Sequence, residues 1–228
     1  MLLKNDTPHI VSEQPKKQKP FALAIEDHQD MENVRKIEQC QKQLGNAIHK
    51  AAVHYSKTGR NFMAFQILDK FASFTMCEED KADFRLSAGR VAEQAGEFEA
   101  AALQYCEGLA HPTSDEETAY FLHNNMGYSL VQLGKYAEAE KYCREAVAID
   151  STRYNAHKNL GLALEGQDQY VEAAKSLELA AMISEDPRAK NHLEKLLAEH
   201  PEIKGSFRPV RIVKEGKITV YSRSKMVH

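Results

Sequence analysis

The chain has 228 residues, 43% of them hydrophobic, and 30 Lys and Arg residues against 33 Asp and Glu residues leave a net charge of −3. No apolar run reaches the ~18 residues of a membrane-spanning helix, and the start Met-Leu-Leu-Lys-Asn-Asp lacks the apolar centre of a secretion signal. We therefore expect a cytoplasmic protein without a membrane span.

The first segment, residues 1–29, is rich in prolines and charge. Pro8, Pro15 and Pro20 interrupt it, and Lys-Lys-Gln-Lys occupies residues 16–19. Turn and charge patterns with little hydrophobic periodicity predict a mobile arm. Residues 31–57 then carry apolar residues at helical spacing, which fits one long helix or two helices broken near Gly45.

Four segments of the helical region, residues 30–199, repeat one pattern near residues 45–78, 82–115, 120–153 and 154–187. The first is faint, with Ala52 where the others have Gly and Asn61 where they have an aromatic residue, so we expect a degenerate or terminal unit. The second is clearer and precedes the third by 38 residues, with the extra four near Pro112. Ser114 and Glu117 form a candidate capping box for a helix that starts near Asp115.

The third and fourth segments match best, because their shared residues are 34 positions apart. The pairs are Gly127 and Gly161, Leu130 and Leu164, Tyr136 and Tyr170, Ala139 and Ala173, and Ala146 and Ala180. Helical spacing on both sides of a polar turn predicts a helical hairpin in each segment. Small residues fit where two helix axes lie ~8–10 Å apart. A repeat of this length is typical of stacked helical arrays.

The chain ends in a capping helix and a basic tail. Residues 187–199 predict a helix through Leu193 and Leu196 that Pro201 ends. Residues 201–228 contain seven cations and two acids, a charge of +5, so residues 1–200 carry −8. Within the tail, residues 200–228, two apolar runs at 210–213 and 218–221 suggest a short β-hairpin. The basic tail residues that could contact a partner are Arg208, Arg211, Lys214, Lys217, Arg223 and Lys225.

The repeat pattern resembles the tetratricopeptide repeat (TPR) family. A leucine-like residue before Gly, a Gly-x-aromatic turn and later alanines are well kept in residues 120–187, and the resemblance extends over about residues 31–199. The pattern departs at Ser151, where the family often has proline, and at His123 and His157, where it often has an aromatic residue. The resemblance implies an all-α, right-handed superhelical solenoid of helical hairpins.

In such solenoids the concave face supplies the binding surface. Helical spacing places one set of residues on that face: Arg90, Phe121, Asn124, Asn125, Tyr128, Gln132, Asn155, Lys158, Asn159 and Leu162. Asn125 and Asn159 are one repeat apart, and their amides offer donors and acceptors that suit the backbone of an extended peptide. The resemblance implies peptide binding in this groove, whereas the alternative is that these amides are solvated or cap neighbouring turns.

One TPR subclass grips the terminal carboxylate of chaperones with Lys, Asn and Arg. Asn125 fits its middle asparagine, but Leu86, Asn155 and Asn159 stand where the cations are expected. Without those cations, the terminal carboxylate of a bound peptide would lose its hydration and gain too few charged partners in return. The clamp is therefore disfavoured, and an adaptor, co-chaperone, secretion-chaperone or assembly role stays open.

Other chemistry has weaker support. No phosphate loop, GxSxG or HExxH motif occurs, so we expect no enzyme activity and no cofactor. Cys106 and Cys143 are expected to pack as small thiols, and His123 and His157 to pack rather than to bind metal. The competing function is nucleic-acid binding through the basic tail, unless the tail docks on its own helical body or pairs with a second copy of the chain.

Overall fold

The computed structural model describes residues 28–75, 77–184, 187–205, 210–214 and 217–221. The described residues form nine α-helices, a short 3₁₀ helix and two strands: α1 His28–Lys57, α2 Asn61–Phe74, α3 Glu78–Gln94, α4 Phe98–Leu109, α5 Glu116–Gln132, α6 Tyr136–Ile149, α7 Tyr154–Glu165, α8 Tyr170–Ile183, α9 Pro187–Glu199, the 3₁₀ helix Pro201–Gly205, β1 Val210–Lys214 and β2 Lys217–Tyr221. The predicted arm lies almost wholly outside the described residues.

The chain divides into two compact units, residues 1–40 and residues 41–228, and α1 has residues in both. In the first unit, the described part of α1 is mostly exposed, and Lys36 and Glu32 form an i,i+4 ion pair of 2.8 Å. The helix runs through Gly45 without a break, so one long helix replaces the alternative of two.

In the second unit, the helices form an all-α repeat solenoid. Each helix from α2 to α9 packs against the next, and α3 contacts α5 just as α5 contacts α7. The first helices of successive hairpins therefore lie side by side, as the repeat pattern predicts. Three main clusters of buried side chains follow one another along the array, centred on Leu68 and Phe84, on Tyr105 and Leu122, and on Leu164 and Leu177.

Within a hairpin, the pattern glycines allow close helix contact and a tight turn. A Cβ built on Gly127 would lie 2.5 Å from the Sγ atom of Cys143 on the facing helix. That thiol is fully buried, and burial raises its pKa to about 12. At the turn, Gly134 has φ of 71°, a left-handed conformation that suits glycine. Asp168 takes the corresponding place one repeat later, with φ of 60°.

The start of α5 differs from the predicted capping box. Asp115 is the N-cap, and its carboxylate accepts hydrogen bonds from the backbone amides of Glu117 and Thr118. Ser114 instead donates to Glu79 Oε1, at 2.6 Å. A carboxylate at the N-cap also has favourable electrostatics with the helix dipole, which adds to the stability of this cap.

The predicted capping helix is α9, which buries Leu193 and Leu196 in the last hydrophobic cluster. In the tail, β1 and β2 pair antiparallel, with Val210 opposite Tyr221 and Lys214 opposite Lys217. These strands occupy the two apolar runs for which the sequence suggests a hairpin. Side chains beyond residue 205 lie outside the described part of the structure.

Candidate functional site

A polar cavity of about 360 Å³ lies where α3, α5, α7 and α9 present one face to the same space. Its walls come from three successive hairpins and the capping helix, so no single repeat builds it. The lining residues are Arg90, Glu93, Gln94, Phe121, Asn124, Asn125, Tyr128, Asn155, Lys158, Asn159 and Arg188. We call this cavity the groove.

Most of the residues predicted for the concave face line the groove, but two of the ten do not. Gln132 is exposed near the end of α5, and Leu162 lies on α7 away from the cavity. Glu93, Gln94 and Arg188 line it in addition to the other eight of these ten residues. The helical spacing from Arg90 to Glu93 could have identified Glu93, whereas Arg188 reaches the groove only because α9 packs at the end of the array.

Three asparagines form a directed chain of hydrogen bonds across the groove floor. Asn159 Nδ2 donates to Asn124 Oδ1 at 3.1 Å, and Asn124 Nδ2 donates to Asn125 Oδ1 at 2.9 Å. Asn159 is 2% exposed and Asn124 6%, while Asn125 is only partly buried. The expected equivalence of Asn125 and Asn159 is therefore wrong in one respect, because Asn159 donates within the fold and only Asn125 reaches towards solvent.

Two amide groups of the floor retain unused hydrogen-bonding capacity. The buried Oδ1 atom of Asn159 has no hydrogen-bond partner among the described residues. The amide of Asn155 is partly buried at the start of α7, and no hydrogen bond to it occurs in the part of the chain that the structure describes. An acceptor and an unpaired amide in one cavity match the needs of a peptide backbone, which carries both N–H and C=O groups.

Glu93 is the acidic group of the groove, and its surroundings change its protonation. It is partly buried on α3, and the hydroxyl of Ser129 on α5 donates to its Oε1 atom at 3.1 Å. Burial raises the pKa of Glu93 to about 7, against the opposing effects of Ser129, Tyr105 and Arg90. Burial and the nearby Glu93 carboxylate also raise the pKa of Tyr105 on α4. Near neutral pH the carboxyl is thus divided between its charged and neutral forms.

Cations line the same cavity from three helices. Arg90 on α3 is exposed. Lys158 on α7 places its Nζ atom 5.9 Å from the centre of the Tyr128 ring, a cation–π distance. Arg188 on α9 donates to the hydroxyl of Tyr154 at 2.9 Å.

A second cavity of about 340 Å³ adjoins the groove, because Arg90 and Gln94 line both. Here His49 of α1 forms a 3.0 Å hydrogen bond with Ser87, and Ser56 donates to Gln94 Oε1 at 2.7 Å. The side chain of Arg90 lies at the junction. Together the two cavities are lined by residues from α1, α2, α3, α5, α7 and α9.

Among the described residues, no group of three or more His, Cys, Asp or Glu side chains is arranged to hold an ion. His157 is buried and donates from Nε2 to the carbonyl of Ser151 at 2.9 Å, and His123 is partly buried near Tyr142. Both histidines pack as expected. Cys143 is buried as expected, but Cys106 on α4 is exposed.

Two further sequence predictions concern Leu86, which stands where the carboxylate-binding TPR subclass has its first lysine, and the basic residues of the tail. Leu86 is 7% exposed and belongs to a hydrophobic cluster, so it contributes no polar group to the groove. The six basic tail residues have their side chains outside the described part of the chain. No described helix is long and apolar enough to cross a membrane.

Comparison with protein families identifies the repeats. Two tetratricopeptide repeat models match, one over residues 66–117 and one over residues 120–153. This chain is a tetratricopeptide-repeat protein. Stacked repeats of this kind are protein-interaction modules that act through extended surfaces. A search of curated protein sequences finds no match to this TPR chain.

Solved structures are similar to this TPR protein at low sequence identity. MamA from Desulfovibrio magneticus RS-1 is 17% identical, with 71% of this chain and 88% of that chain covered and a TM-score of 0.59. MamA AMB-1 is 16% identical, with coverage of 73% and 87% and a TM-score of 0.53. The second TPR domain of human RPAP3, solved with an HSP70 peptide, is 23% identical, with coverage of 53% and 98% and a TM-score of 0.48.

Proposed function

We propose that this TPR protein is a non-enzymatic adaptor, co-chaperone or assembly factor that holds an extended segment of a partner protein in the groove. The observation that carries the proposal is the line of amide groups on α5 and α7, with Asn125 and Asn155 partly buried at the cavity surface. The two amides come from the first helices of successive hairpins. A cytoplasmic location remains part of the proposal.

The groove suits backbone recognition for physical reasons. Its polar floor is already organised by the bonds between Asn159, Asn124 and Asn125, so binding does not have to order those side chains. Phe121 and Tyr128 add apolar surface on the same walls, which a ligand side chain can cover. The partner backbone is thus held by hydrogen bonds, and selectivity comes from the residues around them.

Selection of peptides from a random dodecapeptide phage library on the full chain tests the proposal. We expect Asn155→Ala to raise the Kd of the selected peptides about tenfold, the effect of losing roughly 1.4 kcal/mol of hydrogen bonding. The amide of Asn155 has no partner among the described residues, so helicity and melting should stay unchanged. Asn159→Ala is less informative, because it would also remove the donor to Asn124 inside the fold.

Gln132→Ala is the matched control for this measurement. Gln132 is an exposed amide on α5 that does not line the groove. We expect it to leave the Kd unchanged. Peptides that bind equally well to the wild type and to the Asn155→Ala and Asn125→Ala variants would show that the groove is not the binding surface.

A further inference from the structure

The charge around the groove is opposite in sign to that of the helical body. Residues 1–200 carry a net charge of −8, yet cations line the groove and the adjoining cavity from α1, α3, α7 and α9. These cations are Lys57, Arg90, Lys158 and Arg188. Among the described residues that line the two cavities, Glu93 is the one acidic side chain. A concave surface of one charge sign attracts ligands of the opposite sign.

Arg90 is the cation best placed to meet such a ligand. Its side chain is exposed, lines both cavities and forms no ion pair with the described residues. By contrast, Lys158 and Arg188 are already engaged with neighbouring side chains. A guanidinium can pair with a carboxylate through two parallel hydrogen bonds, which makes Arg90 the natural anchor for an acidic side chain.

Glu93 lies three residues after Arg90 and competes with that interaction. When ionised, its carboxylate attracts Arg90 and repels an incoming carboxylate; when protonated, it does neither. The groups that face it are Arg90 from its own helix, Tyr105 from α4 and Ser129 from α5, and Lys158 and Arg188 line the same cavity from α7 and α9. Ser129 is fully buried and fixes the carboxyl in the groove wall.

We propose that the groove binds an acidic stretch of its partner beside Arg90, and that Glu93 carries a proton in the bound state. The inference rests on the proposed peptide-binding function and adds the chemical class of the segment and a dependence on pH. Binding takes up a proton wherever Glu93 is ionised in the free protein. Since burial places the pKa of free Glu93 at about 7, affinity falls as the pH rises above that value.

Two selections with the same dodecapeptide library, at about pH 6 and about pH 8, test the inference on the full chain. We expect Asp and Glu to be enriched most strongly at the lower pH. For an enriched peptide measured by fluorescence anisotropy, the Kd should rise about tenfold between about pH 6 and about pH 8, as expected for one coupled proton.

Four variants separate the roles of the residues. Glu93→Gln resembles the protonated side chain and should bind with a Kd that stays low across this pH range. Arg90→Gln changes an exposed side chain and should raise the Kd at every pH. Glu99→Gln removes an exposed carboxylate on α4 outside both cavities and should behave as the wild type. His49→Gln removes the histidine of the adjoining cavity and should keep the pH dependence.

The outcomes distinguish this inference from the function on which it rests. If selected peptides lack acidic residues but still lose affinity in Asn155→Ala, the groove function stands and the acidic ligand class is wrong. A Glu93→Gln variant that folds, as judged by circular dichroism, and keeps the pH dependence of the wild type would overturn the role of Glu93. Selection of no groove-dependent peptide at either pH would overturn both proposals.

Discussion

At the scale of single residues, Glu93 links protonation to stability. Burial raises its pKa from 4.5 to about 7, so between these values the folded protein holds a proton that the unfolded chain has released. The stability associated with the neutral carboxyl is complete below about pH 4.5 and is lost as the pH rises through about 7. Above that range, the ionised and partly buried carboxylate lowers the free energy of unfolding.

Glu93→Gln should remove this pH dependence, because a neutral amide retains an acceptor for Ser129. We expect the variant to exceed the wild type by about 3 kcal/mol in free energy of unfolding at about pH 8, with the difference vanishing near pH 4.5. Urea denaturation across this pH range measures it. Glu99→Gln, at an exposed site, should follow the wild type, and parallel curves for Glu93→Gln and the wild type would contradict the expectation.

The sequence predicts which residues face the groove better than it predicts their states. Helical spacing places Asn125 on the inward side of α5, and the 34-residue repeat places Asn159 at the equivalent position of α7. Spacing carries no information on how deeply the next helix covers each residue, so the burial of Asn159 is missed. The pKa of Glu93 likewise depends on Ser129 and Tyr105, which belong to two other helices.

At the scale of elements, the helical hairpins depend on glycine at the contact between their helices. Gly127→Ala would place a methyl group 2.5 Å from Cys143 Sγ and 3.3 Å from the backbone nitrogen of Cys143. The backbone cannot yield easily, so we expect a loss of about 1–3 kcal/mol in stability. Thermal and urea denaturation measure the loss.

Gly45→Ala is a matched control in a helix interior. Its added methyl group would lie 3.5 Å from the Phe84 ring, an ordinary van der Waals distance. Alanine is the better helix former by about 1 kcal/mol, so this variant should be slightly more stable than the wild type. A gain of stability in both variants would show that the helices of the third repeat separate readily.

The hairpins themselves follow from the sequence, because apolar periodicity, polar turns and small contact residues all indicate the same structure. The choice of N-cap at the start of α5 cannot be predicted from the sequence in this way. Ser114 and Asp115 are adjacent and both are good N-caps, and the choice depends on where the backbone enters the helix. Contact of Ser114 with Glu79 on α3 involves a neighbouring hairpin, which local patterns do not report.

At the scale of the whole repeat array, stability is shared between neighbours. Leu196 of α9 is 1% exposed and lies in the cluster with Leu164 and Leu177. Leu196→Ala should cost about 2–4 kcal/mol by leaving a cavity. Because repeats contact mainly their neighbours, amide hydrogen exchange should accelerate most in α7, α8 and α9 and least in α2 and α3.

Leu103→Ala provides the control for a leucine outside the core. Leu103 on α4 is 56% exposed, so we expect its substitution to change the free energy of unfolding by less than about 0.5 kcal/mol. Uniform acceleration of exchange in Leu196→Ala, from α2 through α9, would show instead that the array unfolds as one cooperative block.

The contact between Gly127 and Cys143 has a consequence for chemical labelling. The thiol of Cys143 is sealed between two helices and held protonated, whereas Cys40, Cys77 and Cys106 are exposed. Thiolates rather than thiols react with alkylating reagents, so Cys143 becomes reactive only when the third hairpin opens. The rate at which Cys143 is alkylated should therefore report how often the third hairpin opens, without the need to introduce a cysteine.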